Sequence, residues 1–148
     1  MPKKRKPVYN GAFLEEDESF WLWVWLEKLP WAGRPKFLDE TDRWYCHHMT
    51  HAFKPRGEQL NLPYGEEVKL QVLGISYSDE CVALIVKPPF EGGKAVSHIT
   101  IWCAEGVAPK YSNQQIDEKG YWELDTNFKV KARVGYFDGK EVIYSAPE

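Results

Sequence analysis

The stretch Trp44-Tyr45-Cys46-His47-His48-Met49-Thr50-His51-Ala52-Phe53 contains the pattern His-x-Thr at residues 48–50, and the same pattern recurs at residues 98–100. The residues around both copies are aromatic, β-branched or otherwise apolar, and neither run contains Gly or Pro, so both copies are predicted to be β-strands. Side chains alternate along a strand, so each His points to the same face as its Thr. Two copies of one short pattern indicate one site with two sides.

Each copy sets an imidazole beside a hydroxyl group. An imidazole with an ordinary pKa of about 6.5 can accept or donate a proton near neutral pH, and a Thr hydroxyl can hydrogen-bond a non-bridging phosphate oxygen. If His48 and His98 lie on opposite sides of a phosphorus atom, one can activate water while the other protonates the leaving oxygen. This in-line displacement requires no metal ion and no other cofactor.

Short patterns also match by accident. The chain has four His and four Thr in 148 residues, so a given His is followed two positions later by Thr with a probability of about 3%. Two such matches among four His have a chance probability well below about 1%. The repeat is therefore interpreted as functional.

The two patterns resemble the paired His-x-Thr/Ser-x signature of the two-histidine (2H) phosphoesterases, the superfamily that includes LigT-like RNA cyclic phosphodiesterases. The opening segment Tyr9-Asn10-Gly11-Ala12-Phe13-Leu14 is similar to the first strand of that fold, and the acidic, Trp-rich segment behind it is similar to the first helix. The segment Pro109-Lys110-Tyr111-Ser112-Asn113 is similar to a loop in some members. The two motifs lie closer together than is usual in the family, and residues 54–97 contain no clear helix.

The resemblance implies an α+β fold, in which a mainly antiparallel sheet carries both His-x-Thr strands and a few helices pack outside. It implies a metal-independent hydrolase of phosphodiester bonds, with four catalytic residues: His48, Thr50, His98 and Thr100. The implied substrate is an RNA 2′,3′-cyclic phosphate, opened to a 2′-phosphate end, or a cyclic nucleotide or oligonucleotide signal, whose destruction can serve immune evasion. Which His is the acid and which is the base stays open.

Further residues are predicted to bind the substrate. Trp102 would share the face of the second motif in a regular strand and so stack on a base, with core packing as an equal alternative. Lys54 and Arg56 lie in a turn directly after the first motif and are candidates for binding a second phosphate. Tyr9 and Tyr111, in the segments that resemble the family, complete the predicted set.

Two other classes of function stay open. His47, His48 and His51 crowd together near Cys46, as metal ligands do, but on a strand His48 points away from the other two, and no carboxylate or CxxC pattern completes a metal site. Alternatively, a protein that kept the fold and lost turnover would be a non-catalytic module that binds an RNA end or a nucleotide.

Composition sets the broad class of the protein. With 43% hydrophobic residues, residues 8–148 suit one domain, and residues 1–7 are predicted to be a basic, disordered tail. The net charge of −3 argues against a protein that wraps long nucleic acid. Three Cys without metal-type spacing and no secretory signal predict a cytoplasmic setting, and the basic block Lys3-Lys4-Arg5-Lys6 resembles a nuclear localisation signal. No apolar run approaches the ~20 residues of a membrane span.

Hydrophobic patterns predict the main elements. A dense apolar run at residues 20–29, which follows acidic residues and ends at Pro30, predicts a helix. Strands are predicted at residues 8–14, 68–72, 81–86 and 128–134, and Asp138-Gly139 predicts a hairpin turn after the last of them.

Overall fold

The computed structural model describes residues 6–15, 17–40 and 43–147. Within these ranges the chain forms eight β-strands and two α-helices. The strands are β1 (Tyr9–Leu14), β2 (His48–Phe53), β3 (Glu67–Tyr77), β4 (Cys81–Lys87), β5 (His98–Cys103), β6 (Trp122–Glu123), β7 (Lys129–Phe137) and β8 (Val142–Ile143). The helices are α1 (Glu18–Glu27) and α2 (Tyr111–Lys119), and short 3₁₀ turns occupy Lys36–Leu38 and Gly57–Leu60.

The strands form one antiparallel sheet in the order β6-β3-β4-β5-β2-β1-β7-β8. β3 also pairs with β7, from Glu67 opposite Arg133 to Gln71 opposite Lys129. Because β3 and β7 lie far apart in this order, their pairing closes the six strands from β3 to β7 into a barrel. The two strands that carry the His-x-Thr motifs, β2 and β5, are neighbours in this barrel.

The inward-facing side chains of the barrel form one apolar core, to which every barrel strand contributes. β4 shows the alternation clearly: Val82, Leu84 and Val86 belong to this core, whereas Ala83 and Ile85 pack on Ile116 of α2 at the outer surface. α1 adds Leu22 and Leu26, which lie four residues apart on one helix face and are fully buried. Its remaining apolar residues include the exposed Phe20 and Trp21.

Most elements agree with the sequence patterns. The fold is mainly β, with an antiparallel sheet and few helices, as predicted, and α1, β1, β3, β4 and β7 lie where the patterns place them. α2 was not predicted, because its surface is largely polar and its buried residues, Ser112, Gln115 and Ile116, include two polar side chains. Of the predicted tail, residues 1–5 lie outside the described residues. Among the described residues, no helix is long and apolar enough to cross a membrane.

Candidate active site

The two His-x-Thr motifs face each other across neighbouring strands. β2 and β5 are antiparallel, and Met49 pairs with Ile99. This register sets each His across from the Thr of the other strand, and the site therefore has a local two-fold arrangement. Met49 and Ile99, which point the other way, are fully buried in the barrel core. The alternation of the strands thus aims the four motif side chains at the outer surface of the barrel.

These four side chains line one pocket of about 450 Å³. The pocket lies between the outer surface of the barrel and the segment that leads into α2. Its other walls are aromatic or basic side chains and the start of α2. The full lining is Tyr9, Tyr45, His47, His48, Thr50, Phe53, Lys94, His98, Thr100, Pro109, Lys110, Ser112 and Asn113.

Hydrogen bonds with Ser112 orient His98 and Thr100, the two motif residues of β5, which we call the β5 half of the site. The Ser112 hydroxyl lies 2.8 Å from Nε2 of His98 and 3.0 Å from Oγ1 of Thr100, and it donates to the carbonyl oxygen of Pro109 at 2.9 Å. A hydroxyl has one proton and can accept two hydrogen bonds, so one Ser side chain satisfies all three contacts when His98 and Thr100 are the donors. Ser112 therefore orients both residues of the second motif.

Ser112 is itself held in place by the packing of α2. Gln115, on the same helix face three residues later, is fully buried. Its amide nitrogen donates to Oγ of Ser76 at 2.9 Å and to the carbonyl oxygen of Cys81 at 3.1 Å, and its oxygen accepts from Ser78 at 2.6 Å. These bonds attach α2 to the β3–β4 hairpin. A polar network outside the pocket thus determines where the Ser112 hydroxyl lies.

Aromatic rings pack on His48, which together with Thr50 forms the β2 half of the site. The imidazole of His48 stacks on the ring of Tyr9, with centroids 4.6 Å apart, and lies 5.4 Å from the ring of Phe13. Both rings come from β1, in which Phe13 pairs with His48. Gly11 lies between them in sequence, and a Cβ there would collide with the carbonyl oxygen of Met49. The close approach of β1 to β2 therefore requires Gly at this position.

The site is electropositive although both imidazoles are neutral at pH 7. Burial lowers the pKa of His48 to about 4, with contributions from His47, His98 and Lys94. Burial also lowers the pKa of His98 to about 4, helped by Lys94 and opposed by the backbone of Val96. An anion bound between the rings would raise both pKa values again, because a nearby negative charge favours the protonated imidazole.

Lys94 comes from the loop between β4 and β5 and lines the same pocket. Its ammonium group donates to Oδ1 of Asn113 at 3.1 Å, and burial lowers its pKa. In the part of the chain that the structure describes, Lys94 makes no ion pair with a carboxylate. Its charge is therefore available to a ligand.

The structure brings together five of the nine predicted site residues: His48, Thr50, His98, Thr100 and Tyr9. Trp102 is not among them. Of the two alternatives for Trp102, the structure shows core packing, because Trp102 is 1% exposed and belongs to the barrel core, and it does not share the face of the second motif. The cause is a register shift between β4 and β5, where Val82 pairs with Trp102 and Ala83 with Thr100. The extra residue in β5 breaks the alternation and turns Trp102 inward.

The other predicted substrate-binding residues lie outside this pocket. Lys54 and Arg56 line a neighbouring groove that begins where β2 ends. Tyr111 lines a separate depression, together with Glu80 and other residues around α2. Sequence reasoning did not assign a role to Ser112 or Lys94. Ser112 lies within the segment that resembles a family loop, whereas no pattern points to Lys94.

The alternative of a metal site finds little support in this geometry. His51 is 3% exposed and lies beneath Gly93 and Phe90, away from the pocket. Within residues 6–15, 17–40 and 43–147, no three His, Cys, Asp or Glu side chains converge as ligands of one metal ion. Comparison with protein-family models gives no match, and neither does comparison with curated proteins. Membership of the two-histidine phosphoesterases therefore stays a prediction from the paired motifs.

Proposed function

We propose that this protein is a metal-independent phosphodiesterase of the two-histidine type, which opens cyclic phosphodiesters. The observation that carries the proposal is the antiparallel pairing of β2 with β5, which sets two His-Thr pairs around one pocket. A phosphodiester carries one negative charge, and the pocket offers Lys94 and Lys110 to neutralise it. Its aromatic walls suit the sugar and base of a nucleotide.

In this mechanism one imidazole removes a proton from water as the water oxygen attacks phosphorus. The other imidazole donates a proton to the leaving oxygen, and the P–O bond to that oxygen breaks. Thr50 donates a hydrogen bond to one non-bridging oxygen, and Thr100 donates to the other once its hydroxyl turns from Ser112 to the phosphate. Both bonds stabilise the negative charge of these oxygens in the transition state. One proton is taken and one is given, so the pair of imidazoles ends with the same number of protons as it began.

The neutral resting state of both rings fits this sequence of steps. One ring has to be protonated before it can act as an acid, and the bound phosphate supplies the negative charge that favours protonation. With an RNA 2′,3′-cyclic phosphate, breakage of the bond to the 3′ oxygen leaves a 2′-phosphate end. With a cyclic oligonucleotide, the same steps linearise the ring.

The test is hydrolysis, in EDTA, of 2′,3′-cyclic mononucleotides, RNA with a 2′,3′-cyclic phosphate end, and 3′,5′-linked cyclic di- and trinucleotides. The His48→Ala protein is the control. Cleavage that requires His48 and proceeds in EDTA supports the proposal, and the preferred substrate distinguishes RNA ends from cyclic signals. Full activity of His48→Ala, or activity that EDTA abolishes, would contradict the two-histidine mechanism.

One observation favours a second candidate, a non-catalytic module that binds an RNA end or a nucleotide. Nε2 of His98 is already engaged by Ser112, so a ligand can bind in the pocket without a free imidazole on the β5 side. Tight binding of the same compounds, with every one recovered unchanged after long incubation, would support this candidate against the enzyme.

A further inference from the structure

A second, larger cavity adjoins the histidine pocket. We call it the basic groove, and its volume is about 870 Å³. Its lining contains three cationic side chains, those of Lys6, Lys54 and Arg56, and no acidic one among the described residues. The other lining residues are Pro7, Val8, Pro55, Leu60, Asn61, Leu62, Tyr64, Ala146 and Pro147. Since the whole chain has a net charge of −3, this concentration of positive charge is a local feature.

The three cations of the basic groove are free to bind an anion. In the described part of the chain, none of them forms an ion pair. Lys54 lies beside the ring of Phe53, with Nζ 5.6 Å from the ring centroid. Unpaired cations on a concave surface are the side chains with which proteins neutralise phosphates.

The basic groove continues directly from the histidine pocket. Tyr9 pairs with Phe53, and both side chains line the histidine pocket. The adjacent residues Val8 and Lys54 line the groove, and the Lys54 amide donates to the Val8 carbonyl at 2.7 Å. Phe53 is 63% exposed at this border. An exposed ring between two cationic cavities is suited to stack on a nucleobase whose flanking phosphates enter both.

The far wall of the basic groove is built by a buried side chain. Asn10 is fully buried, and its amide nitrogen donates to the carbonyl oxygen of Gln59 at 2.8 Å and to the hydroxyl of Tyr64 at 3.2 Å. Its oxygen accepts from the amide of Ala52 at 3.2 Å. Asn10 therefore ties the segment around the turn Gly57–Leu60 to the end of β2. The groove has a defined shape before any ligand binds.

From these observations we propose that the basic groove is a second phosphate-binding subsite, and that the substrate is a short single-stranded oligonucleotide instead of a mononucleotide. The inference rests on the proposed function, because it names the substrate of the same site. β2 advances about 3.3 Å per residue, so its end at Phe53 lies about 10 Å from Thr50 along the strand, and Lys54 follows it. A mononucleotide has only the phosphate that lies between the histidines, whereas a chain of a few nucleotides can extend past Phe53 and set a second phosphate in the groove.

The experiment compares kcat/KM for three substrates: adenosine 2′,3′-cyclic phosphate, a linear triadenylate with a 2′,3′-cyclic phosphate end, and a cyclic triadenylate. The test variant is Lys54→Gln/Arg56→Gln. The matched control is Lys129→Gln/Lys131→Gln, which removes two positive charges from the exposed side of β7. Circular dichroism establishes that both variants fold.

We expect the test variant to lose about tenfold in kcat/KM on one or both triadenylates, through KM, and less than about twofold on the mononucleotide. The dependence of log(kcat/KM) on log salt for that triadenylate should become shallower by about 0.7, since the subsite binds one phosphate and each phosphate contact on a single strand contributes about 0.7. The control should match the wild type throughout. A loss on the linear triadenylate alone identifies a linear oligonucleotide as the source of the second phosphate, and a loss on the cyclic triadenylate alone identifies a cyclic one. Equal losses on all three substrates, or none, would overturn the subsite.

Failure of the proposed function is distinguishable from failure of the subsite. If the wild type cleaves none of the substrates, the proposed phosphodiesterase function is wrong. The subsite is then tested by fluorescence anisotropy with a labelled 3′-phosphorylated triadenylate. A Kd about tenfold weaker in Lys54→Gln/Arg56→Gln than in the control supports the subsite. Equal Kd values overturn it.

Discussion

The β2 half of the site holds its imidazole by aromatic packing, whereas the β5 half holds its imidazole by hydrogen bonds. His48 stacks on Tyr9 and, in the described part of the chain, has no hydrogen-bond partner for its ring. His98 is bonded to Ser112, which also bonds Thr100. The two sequence motifs are alike, so the asymmetry comes from the elements packed on them, which are β1 on one side and α2 on the other.

This difference teaches that a repeated motif does not imply equal roles. A stacked ring can rotate in its plane or shift as substrate enters, whereas a ring that shares a Ser hydroxyl with a neighbouring Thr is oriented before substrate arrives. Residues of the β5 half are therefore coupled to one another. Those of the β2 half act more independently.

The largest expected effect on activity follows from removing either imidazole. We expect His48→Ala and His98→Ala each to lower kcat/KM by about 10⁴-fold while the protein stays folded, since each removes one of the two proton transfers. Steady-state kinetics on the preferred substrate measure the effect, and circular dichroism checks folding. A His98→Ala protein with full activity would show that the two halves do not act as a pair.

Removal of a hydroxyl should have a smaller effect, and an unequal one. Thr50→Ala and Thr100→Ala should each lower kcat by about one to three orders of magnitude, because each removes a hydrogen bond to the transition state. Thr100→Ala should lower kcat more than Thr50→Ala does, since it also removes a hydrogen-bond partner of Ser112. A larger loss of kcat in Thr50→Ala, in the same assay, would contradict the predicted difference between the two halves.

The pH dependence of stability tests the burial of His98. Its pKa is about 4 in the folded protein and about 6.5 when exposed, so the unfolded chain binds more protons between these values, and stability falls as pH falls through that window. From about pH 7 to about pH 5, protonation of the His98 imidazole in the unfolded chain lowers the free energy of unfolding by about 2 kcal/mol. Urea unfolding of wild type and His98→Gln at both pH values measures this loss of stability.

The control for that comparison is His47→Gln, which removes an exposed imidazole at the rim of the pocket. We expect His98→Gln to lose less stability on acidification than either the wild type or His47→Gln. Equal losses in all three proteins would mean that His98 is not held neutral by its surroundings.

The smallest of these effects concerns the anchor of the β5 half. Ser112→Ala should lower kcat/KM by about tenfold, because His98 and Thr100 lose their shared partner, whereas Ser112→Thr keeps a hydroxyl and should retain more activity. Gln114→Ala changes an exposed residue of the same helix that does not line the pocket, and should stay within about threefold of wild type. If Ser112→Ala and Gln114→Ala behaved alike, the hydrogen bonds of Ser112 would have no catalytic role.

The sequence predicts the motif strands and the four residues that meet in the pocket, because strand alternation acts over a few residues and the repeat is explicit. It does not predict Lys94 or Ser112. Their positions depend on how the loop before β5 and helix α2 pack on the barrel. Trp102 shows a different limit, since one extra residue in β5 reverses which side it faces. Closure of the barrel by β3 and β7 is likewise a tertiary event that no local pattern encodes.

The seam between β2 and β5 also has a consequence for folding. Among the described residues, these strands pair through Met49 and Ile99, and the segment before β2 adds the bridge between Trp44 and Trp102, whereas β3 and β4 pair through six residue pairs. The seam joins two better-paired groups of strands, β3-β4-β5 and β2-β1-β7. Contacts between segments far apart in sequence form slowly, because the loops between them have to close first. During refolding, the return of activity would therefore report the closing of this seam, a step that bulk measurements of strand content do not isolate.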